Sequence, residues 1–246
     1  TREGGRLLYY GTFMPDSGKR EGYDSILKFP TKKTREILIH FPLYCGITSL
    51  SVGLAAGASL GGWSGYKREK PVVFYGSSIT QGACANTPGN DYIGRLSRRF
   101  DFNYINLGFS GSAKGEQAMM DYIAGLDMSM FVYDYDHNAP DSEHLAATHY
   151  KGYQTVRAAH PDIPIIMASR PTYDHPRENT AARRDVIAAS YERARAEGDG
   201  NVYFVDGAKV FSTFFADGCT VDGTHPTDLG FYRMAEAFGE VMARIF

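Results

Sequence analysis

The amino-acid sequence predicts an α/β fold: a parallel sheet with helices on both faces, preceded by a small β-rich segment. From Pro71 onward, short apolar runs alternate with segments of helical spacing, which is typical of repeated βα units. Before that point, apolar runs are separated by clusters of Gly, Pro, Asp and Lys. We therefore expect a β-rich segment over residues 1–66 and an α/β domain over residues 67–246.

The first segment carries four apolar runs with the spacing of strands, at residues 7–13, 26–29, 37–43 and 47–54. In the last run Leu50, Val52 and Leu54 alternate with small or polar residues, the two-residue period of a half-buried antiparallel strand. We predict that this segment forms part of a sandwich. A charged linker at residues 66–70 would join it to the rest of the chain.

The second region predicts five strands, at residues 71–77, 102–108, 129–135, 163–169 and 201–206. One helix should begin at Ser142 as N-cap and stop before Pro161. The clearest helix is the last, whose apolar residues recur at three and four: Phe231, Met234, Ala235, Phe238, Val241, Met242 and Ile245. Right-handed crossovers would place a ligand crevice at the carboxyl ends of the strands.

Composition favours a small neutral or sugar-like partner. The formal net charge of −2 and the absence of long Lys/Arg runs give no electrostatic footprint for nucleic acid. No apolar stretch approaches the roughly 20 residues that cross a bilayer. Cys45, Cys84 and Cys219 are too far apart for a zinc site, although one disulfide stays open. The compartment also stays open, because a segment preceding Thr1 could have carried an export signal.

A candidate nucleophile lies where the first strand of the α/β region ends. Gly76 permits a sharp bend there, and Ser78 would project its hydroxyl into the crevice. A serine needs a base, and His225 lies just before the terminal helix. Asp222, three positions earlier, can hold the Nδ1–H of His225 while Nε2 faces the serine.

Two further loops at the same edge supply hydrogen-bond donors for an oxyanion. Gly111 follows the second strand and precedes a helical segment, so that its N–H can point at developing negative charge. Asn138 follows the third strand, and its amide donates without changing charge. The N–H of Ser78 itself would be the remaining donor.

These four segments, in this order, resemble the SGNH hydrolase superfamily, also called GDSL esterases/lipases, over roughly residues 71–246. The resemblance implies a flavodoxin-like three-layer α/β/α sandwich that needs no cofactor and hydrolyses esters, often acetyl groups on sugars. It matches Ser78, Asp222 and His225 to the triad, and Ser78, Gly111 and Asn138 to the oxyanion donors. The β-rich leader resembles the sandwich found ahead of one subgroup of these enzymes.

The sequence departs from the family pattern at two places. Ser77 stands where the first block usually has an acid, and Ile79 where it has leucine. That acid is not a triad member, so the triad survives. Asp136 stands where the third block usually has a glycine two residues before its asparagine, which predicts a differently shaped loop. No Gly-x-Ser-x-Gly elbow surrounds Ser78, which argues against the α/β-hydrolase fold.

Other residues near these loops allow alternative interpretations. Asp134, Asp136 and His137 could bind a divalent ion, but no second His/Cys set is spaced to complete the site, so we predict no metal. Arg170 and Tyr173 follow the fourth strand and could line a substrate pocket. They could equally be rim residues paired with the acids at 174 and 178.

The sequence therefore predicts a serine esterase that removes short acyl groups, acetyl above all, from a saccharide or another small polar ester. No long apolar stretch suggests an acyl channel, which favours short chains. The same triad could instead transfer the acyl group to another alcohol. A non-enzymatic alternative is a carbohydrate-binding protein in which the leader binds the ligand. The natural ester and the oligomeric state stay open.

Overall fold

The computed structural model describes residues 1–14, 18, 22–171, 180–212 and 214–246. By their contacts these residues form two compact units. The first comprises Thr1–Phe41 and Ile47–Gly65, and the second comprises Pro42–Gly46 and Tyr66–Phe246. The domain division expected between residues 66 and 67 stays a prediction.

The second unit is built on a five-stranded parallel sheet. In the described residues its strands are β3 (Arg68–Gly76), β4 (Phe102–Gly108), β5 (Met130–Asp134), β6 (Ile165–Ala168) and β7 (Val202–Val205), in the spatial order β4-β3-β5-β6-β7. This is the flavodoxin-like order, in which the winding direction reverses between the first and third strands. Gly76 pairs with Gly108 on one side and with Asp134 on the other, so three strands end at one level.

Helices cover both faces of this sheet. Those described are α1 (Ser78–Gln81), α2 (Tyr92–Phe100), α3 (Gln117–Ala124), α4 (Ser142–Ala159), α5 (Thr180–Ala196) and α6 (Asp228–Met242). The described residues also form short 3₁₀ helices at Asp136–Asn138, Gly207–Lys209 and Ala216–Cys219. Within the described part of the chain, no helix has both the length and the apolar character to cross a bilayer.

The start of α4 differs from the sequence-based prediction by one residue. Asp141, rather than Ser142, is the N-cap, and its Oδ1 accepts a hydrogen bond from the N–H of His144 at 2.7 Å. Asp and Ser are both common N-cap residues, so the sequence alone does not decide between Asp141 and Ser142. The helix ends at Ala159, before Pro161, as expected.

Side chains of β3 divide the core into two layers. Val72 and Phe74 pack with α2 and α6, whereas Val73 and Tyr75 pack with α3, α4 and α5. The predicted stripe is confirmed along α6: Phe231, Met234, Ala235, Phe238 and Met242 are buried, and Val241 is partly buried against them. Ile245 packs against the same cluster but lies beyond the end of the helix at Met242. The predicted three-layer α/β/α fold is therefore confirmed.

The first unit holds one short antiparallel pair, β1 (Arg2–Glu3) with β2 (Arg6–Leu7). Arg2 pairs with Glu36 at 3.0 Å and lies 4.7 Å from the ring centre of Trp63. Beyond Leu7, the four apolar runs do not form the expected strands in the described residues, and no sandwich is present among them. Many side chains of these runs are exposed: Val52, for example, is 58% exposed.

Candidate active site

The strand β3 delivers Ser78 to the edge of the sheet through a tight turn. Ser77, at the position of the family's usual acid, caps α1, because its Oγ accepts the N–H of Ile79 at 3.1 Å. Gly76 is required at the bend, since a Cβ there would collide with Thr80 Oγ1 and with the carbonyl oxygen of Asp134. Ser78 is 8% exposed, so only a small part of its side chain reaches solvent.

A closed loop ahead of α6 holds the acid and the imidazole. Its ends meet in an antiparallel bridge between Thr220 and Pro226. Asp222 Oδ1 accepts the N–H groups of Thr224 and His225 at 2.9 and 2.7 Å, and Oδ2 lies 2.7 Å from His225 Nδ1. Partial burial alone would raise the pKa of Asp222, but these bonds, led by the His225 side chain, outweigh it and lower the pKa to about 2.

The structure brings Ser78, His225 and Asp222 into one hydrogen-bonded chain. Ser78 Oγ lies 3.0 Å from His225 Nε2. Because the ionised carboxylate of Asp222 can only accept, the imidazole donates from Nδ1, which leaves Nε2 free to accept the serine proton. This geometry can perform nucleophilic attack assisted by a general base.

The loops that follow β4 and β5 contact each other at the edge of the sheet where Ser78 lies. Phe109 donates its N–H to Gly76 O at 2.9 Å and accepts the side-chain amide of Asn138 at 2.8 Å. Gly111, two residues on, has φ 70°, and the space beside its Cα is open. No group in the described part of the chain accepts a hydrogen bond from the N–H of Ser78 or of Gly111. With the second amide hydrogen of Asn138, whose first is bonded to Phe109 O, these two N–H groups make three candidate donors near one edge of the sheet.

Arg170 lies behind these loops. It is 7% exposed, its N–H donates to Asp136 Oδ2 at 2.9 Å, and its Nε lies 3.6 Å from Asp136 Oδ1. Its role toward a substrate stays a prediction. Tyr173 and the alternative partners at residues 174 and 178 lie outside the described residues.

The carboxylates considered as metal ligands are occupied by other partners. Asp134 Oδ2 accepts from Tyr92 Oη at 2.9 Å and from Thr80 Oγ1 at 3.3 Å, and burial raises the pKa of Asp134 to about 7. Asp136 is held by Arg183. Among the described residues no group of three or more His, Cys, Asp or Glu is placed to hold a metal ion. All three cysteines are free thiols.

Sequence reasoning missed two residues close to the site. Tyr44, in the first 65 residues, donates its hydroxyl to Ser78 O at 3.2 Å, and no pattern marks it. Arg183 pairs with Asp136 at 2.8 Å and is 2% exposed, although it lies in a polar stretch of α5. Asp136 needs a cation because it is buried, but the sequence does not show that burial, since residues 133–140 around it are largely polar.

Comparison with known structures gives relatives with the same fold. A candidate GDSL-like lipase from Bacteroides ovatus ATCC 8483 is 36% identical, with a TM-score of 0.66 over 72% of this chain and 54% of that one. The salicylyl-acyltransferase SsfX3 from a tetracycline biosynthetic pathway is 22% identical, with a TM-score of 0.63 over 73% and 56%. A two-domain esterase (CEX) active on acetylated mannans is 19% identical, with a TM-score of 0.55 over 72% and 49%.

The two relatives below 25% identity support the fold alone. The chain spans about half the length of these three relatives, 49 to 56%. No curated protein matches it in sequence. A family model, however, matches residues 69–243, which include every predicted triad and oxyanion residue. The chain therefore belongs to the GDSL-like lipase/acylhydrolase family.

Proposed function

We propose that this chain is a serine esterase that hydrolyses short-chain esters, acetyl esters above all, on a saccharide or another small polar substrate. The observation that carries the proposal is the contact of 3.0 Å between Ser78 Oγ and His225 Nε2, with Asp222 bound to the far side of the ring. This group lies at the point where the sheet changes its winding direction, the usual ligand position in such folds.

The first half of the reaction forms an acyl-enzyme. His225 Nε2 takes the proton as Ser78 Oγ attacks the ester carbonyl carbon. Asp222 stabilises the imidazolium and keeps its own charge. His225 then returns the proton to the departing alkoxide, which leaves as an alcohol.

The second half releases the acid. His225 takes a proton from water, the hydroxide attacks the acyl carbon, and Ser78 regains its proton as the acid leaves. In both halves the oxyanion would be held by the N–H groups of Ser78 and Gly111 and by the amide of Asn138. Donors fixed in advance stabilise this charge without reorganising.

Two structural relatives and one exposed aromatic residue support a saccharide substrate. Two relatives with this fold act on or bind saccharides: the esterase active on acetylated mannans, and a family two carbohydrate esterase from Clostridium thermocellum in complex with cellohexaose. Tyr44 is 51% exposed and bonded to Ser78 O, so it offers an amphipathic ring beside the nucleophile.

The test is a panel of acetylated saccharides and p-nitrophenyl esters of increasing acyl length, run with wild type and Ser78→Ala. We expect the rate of hydrolysis to fall as the acyl chain lengthens. Ser78→Ala should lower this rate by several orders of magnitude. A fluorophosphonate should label wild type and not the variant. Equal activity of the two proteins would reject the esterase and favour a binding protein.

Acyl transfer is the second candidate, because the salicylyl-acyltransferase shares the fold. Transfer and hydrolysis share the acyl-enzyme and differ only in the group that resolves it. Product analysis with added sugar or alcohol acceptors separates them. Acylated acceptor formed in preference to free acid would identify a transferase.

A further inference from the structure

A buried ion pair lies behind the turn that carries Asn138. Asp136, the first residue of this 3₁₀ turn, is 0% exposed, and Arg183 of α5 is 2% exposed. Arg183 Nε lies 2.8 Å from Asp136 Oδ1. A buried charge is costly unless it is paired, so each residue fixes the position of the other.

The same guanidinium also binds the backbone on both sides of the turn. Arg183 Nη2 donates to the carbonyl oxygen of Asp136 and, at 2.7 Å, to that of Ala139. Asn138 lies between these two carbonyls. Because the guanidinium is planar and rigid, it sets the distance between the two ends of the turn.

Further bonds leave the Asn138 side chain little freedom. The N–H of Arg170 holds the second carboxylate oxygen of Asp136 at 2.9 Å. On the other side, Asn138 Nδ2 donates to Phe109 O at 2.8 Å. One amide hydrogen of Asn138 is therefore tethered, and the direction of the other depends on the backbone that Arg183 holds.

We propose that Arg183 is a positioning residue for Asn138 and acts through Asp136 and the turn backbone. The inference rests on the proposed function, in which Asn138 is an oxyanion donor. It also accounts for the acid at position 136, where the family usually has glycine: the carboxylate anchors the turn to α5. A small displacement of such a donor weakens its bond to the transition state more than substrate binding.

The test is a double-mutant cycle of Arg183→Lys with Asn138→Ala, reading kcat and KM separately. Lysine keeps the charge but cannot reach the three acceptors together. We expect Arg183→Lys to lower kcat about 10- to 100-fold with KM nearly unchanged, and Asn138→Ala to lower it about 100-fold or more. In the Asn138→Ala background, Arg183→Lys should cost less than about twofold, because its effect passes through the missing amide.

Arg157→Lys is the matched control. Arg157 pairs with Asp199 at 2.9 Å and donates to the carbonyls of His160 and Ile163 at 2.9 and 2.7 Å, at the opposite ends of the strands. We expect it to lower the melting temperature as Arg183→Lys does and to leave kcat unchanged. A fall in kcat in this control equal to that of Arg183→Lys would show a general loss of stability and overturn the proposal.

The remaining outcomes are also decisive. An unchanged kcat in Arg183→Lys, or the same fold-loss with and without Asn138, overturns the positioning role. If Arg183→Lys does not fold, Asp136→Asn enters the same cycle, since it keeps the side-chain shape and an acceptor oxygen. Ser78→Ala distinguishes failure of the proposed esterase function from failure of the positioning role. If Ser78→Ala is as active as wild type, the esterase proposal is wrong. If Ser78→Ala is inactive while Arg183→Lys has normal kcat, only the positioning role is wrong.

Discussion

The contact between Asp222 and His225 sets which ring nitrogen carries the proton. Asp222 Oδ2 lies 2.7 Å from His225 Nδ1, and the pKa of Asp222 is lowered to about 2. Asp222 is therefore ionised at any pH well above 2. A neutral amide at this position can instead donate to the ring and favour the wrong tautomer. The charge of residue 222, rather than its shape, therefore determines the tautomer of His225.

We predict that Asp222→Asn lowers kcat by roughly 10³- to 10⁴-fold with little change in KM. Steady-state kinetics on a p-nitrophenyl ester measures this. Asp228→Asn is the control, because Asp228 begins α6 nearby and, among the described residues, accepts the backbone N–H of Asn86 at 3.0 Å and lies 4.0 Å from Arg95 Nη2. Asp222→Asn activity within about tenfold of wild type would remove Asp222 from the triad.

A second residue links the core to acid stability. His149 of α4 is 1% exposed, stacks on Tyr133 with ring centres 4.7 Å apart, and has no hydrogen-bond partner for either nitrogen among the described residues. Burial lowers its pKa from 6.5 to about 3. Between these values the unfolded chain binds a proton that the folded chain does not, so the free energy of unfolding falls as pH falls.

We predict that this residue alone lowers the free energy of unfolding by about 1.4 kcal/mol for each pH unit below about pH 6. His149→Phe keeps the stacking and removes the titration, so its stability relative to wild type should rise steadily from pH 6 to pH 4. Urea titrations at each pH measure it. His144→Gln, on the same helix but nearer solvent, is the control. A constant difference between His149→Phe and wild type across this range would refute the prediction.

Among the elements, the α/β strands could be predicted well and the N-terminal ones could not. Residues 72–76 of β3 and all of β5 and β6 are buried, so they read as short, mainly apolar runs, as buried parallel strands do. The helical segments that separate these runs favour strands over buried helices. The alternation at residues 50–54 predicts a strand equally well by itself. The alternating pattern shows which side chains would lie on the same face of a strand, but not whether another layer of the protein covers that face.

The start of α4 offers a test at this scale. We predict that Asp141→Ala lowers the free energy of unfolding by about 1 kcal/mol, because the N–H of His144 loses its acceptor. Ser142→Ala, one residue on, should change it by less than about 0.5 kcal/mol. Urea unfolding of both variants decides which residue caps the helix, and a larger loss for Ser142→Ala would favour the sequence-based assignment.

At the scale of the molecule, the meeting of the candidate site residues was predictable because parallel topology places strand ends together. Ser78, Gly111 and Asn138 each follow a strand, and the sheet order brings their loops to one edge. Arg183 was not predictable in this way. It reaches the site from within a helix, and its burial depends on how α5 packs rather than on any local pattern.

We predict that esterase activity and the fold of the second unit are lost together. Ser78 and His225 lie 147 positions apart, and the loop of His225 is tied to α6, which packs in the core. In a urea titration, activity and far-ultraviolet circular dichroism should share one midpoint. Activity lost well before the dichroism would show that the His225 loop detaches by itself.

The same separation of 147 positions bears on how the protein is made. During translation Ser78 leaves the ribosome well before His225, so under the proposed mechanism a nascent chain that lacks His225 has no base for its serine. The hydroxyl would become nucleophilic only after α6 and the loop of His225 have joined the sheet. We therefore expect a product truncated before residue 225 to show no hydrolysis by this mechanism.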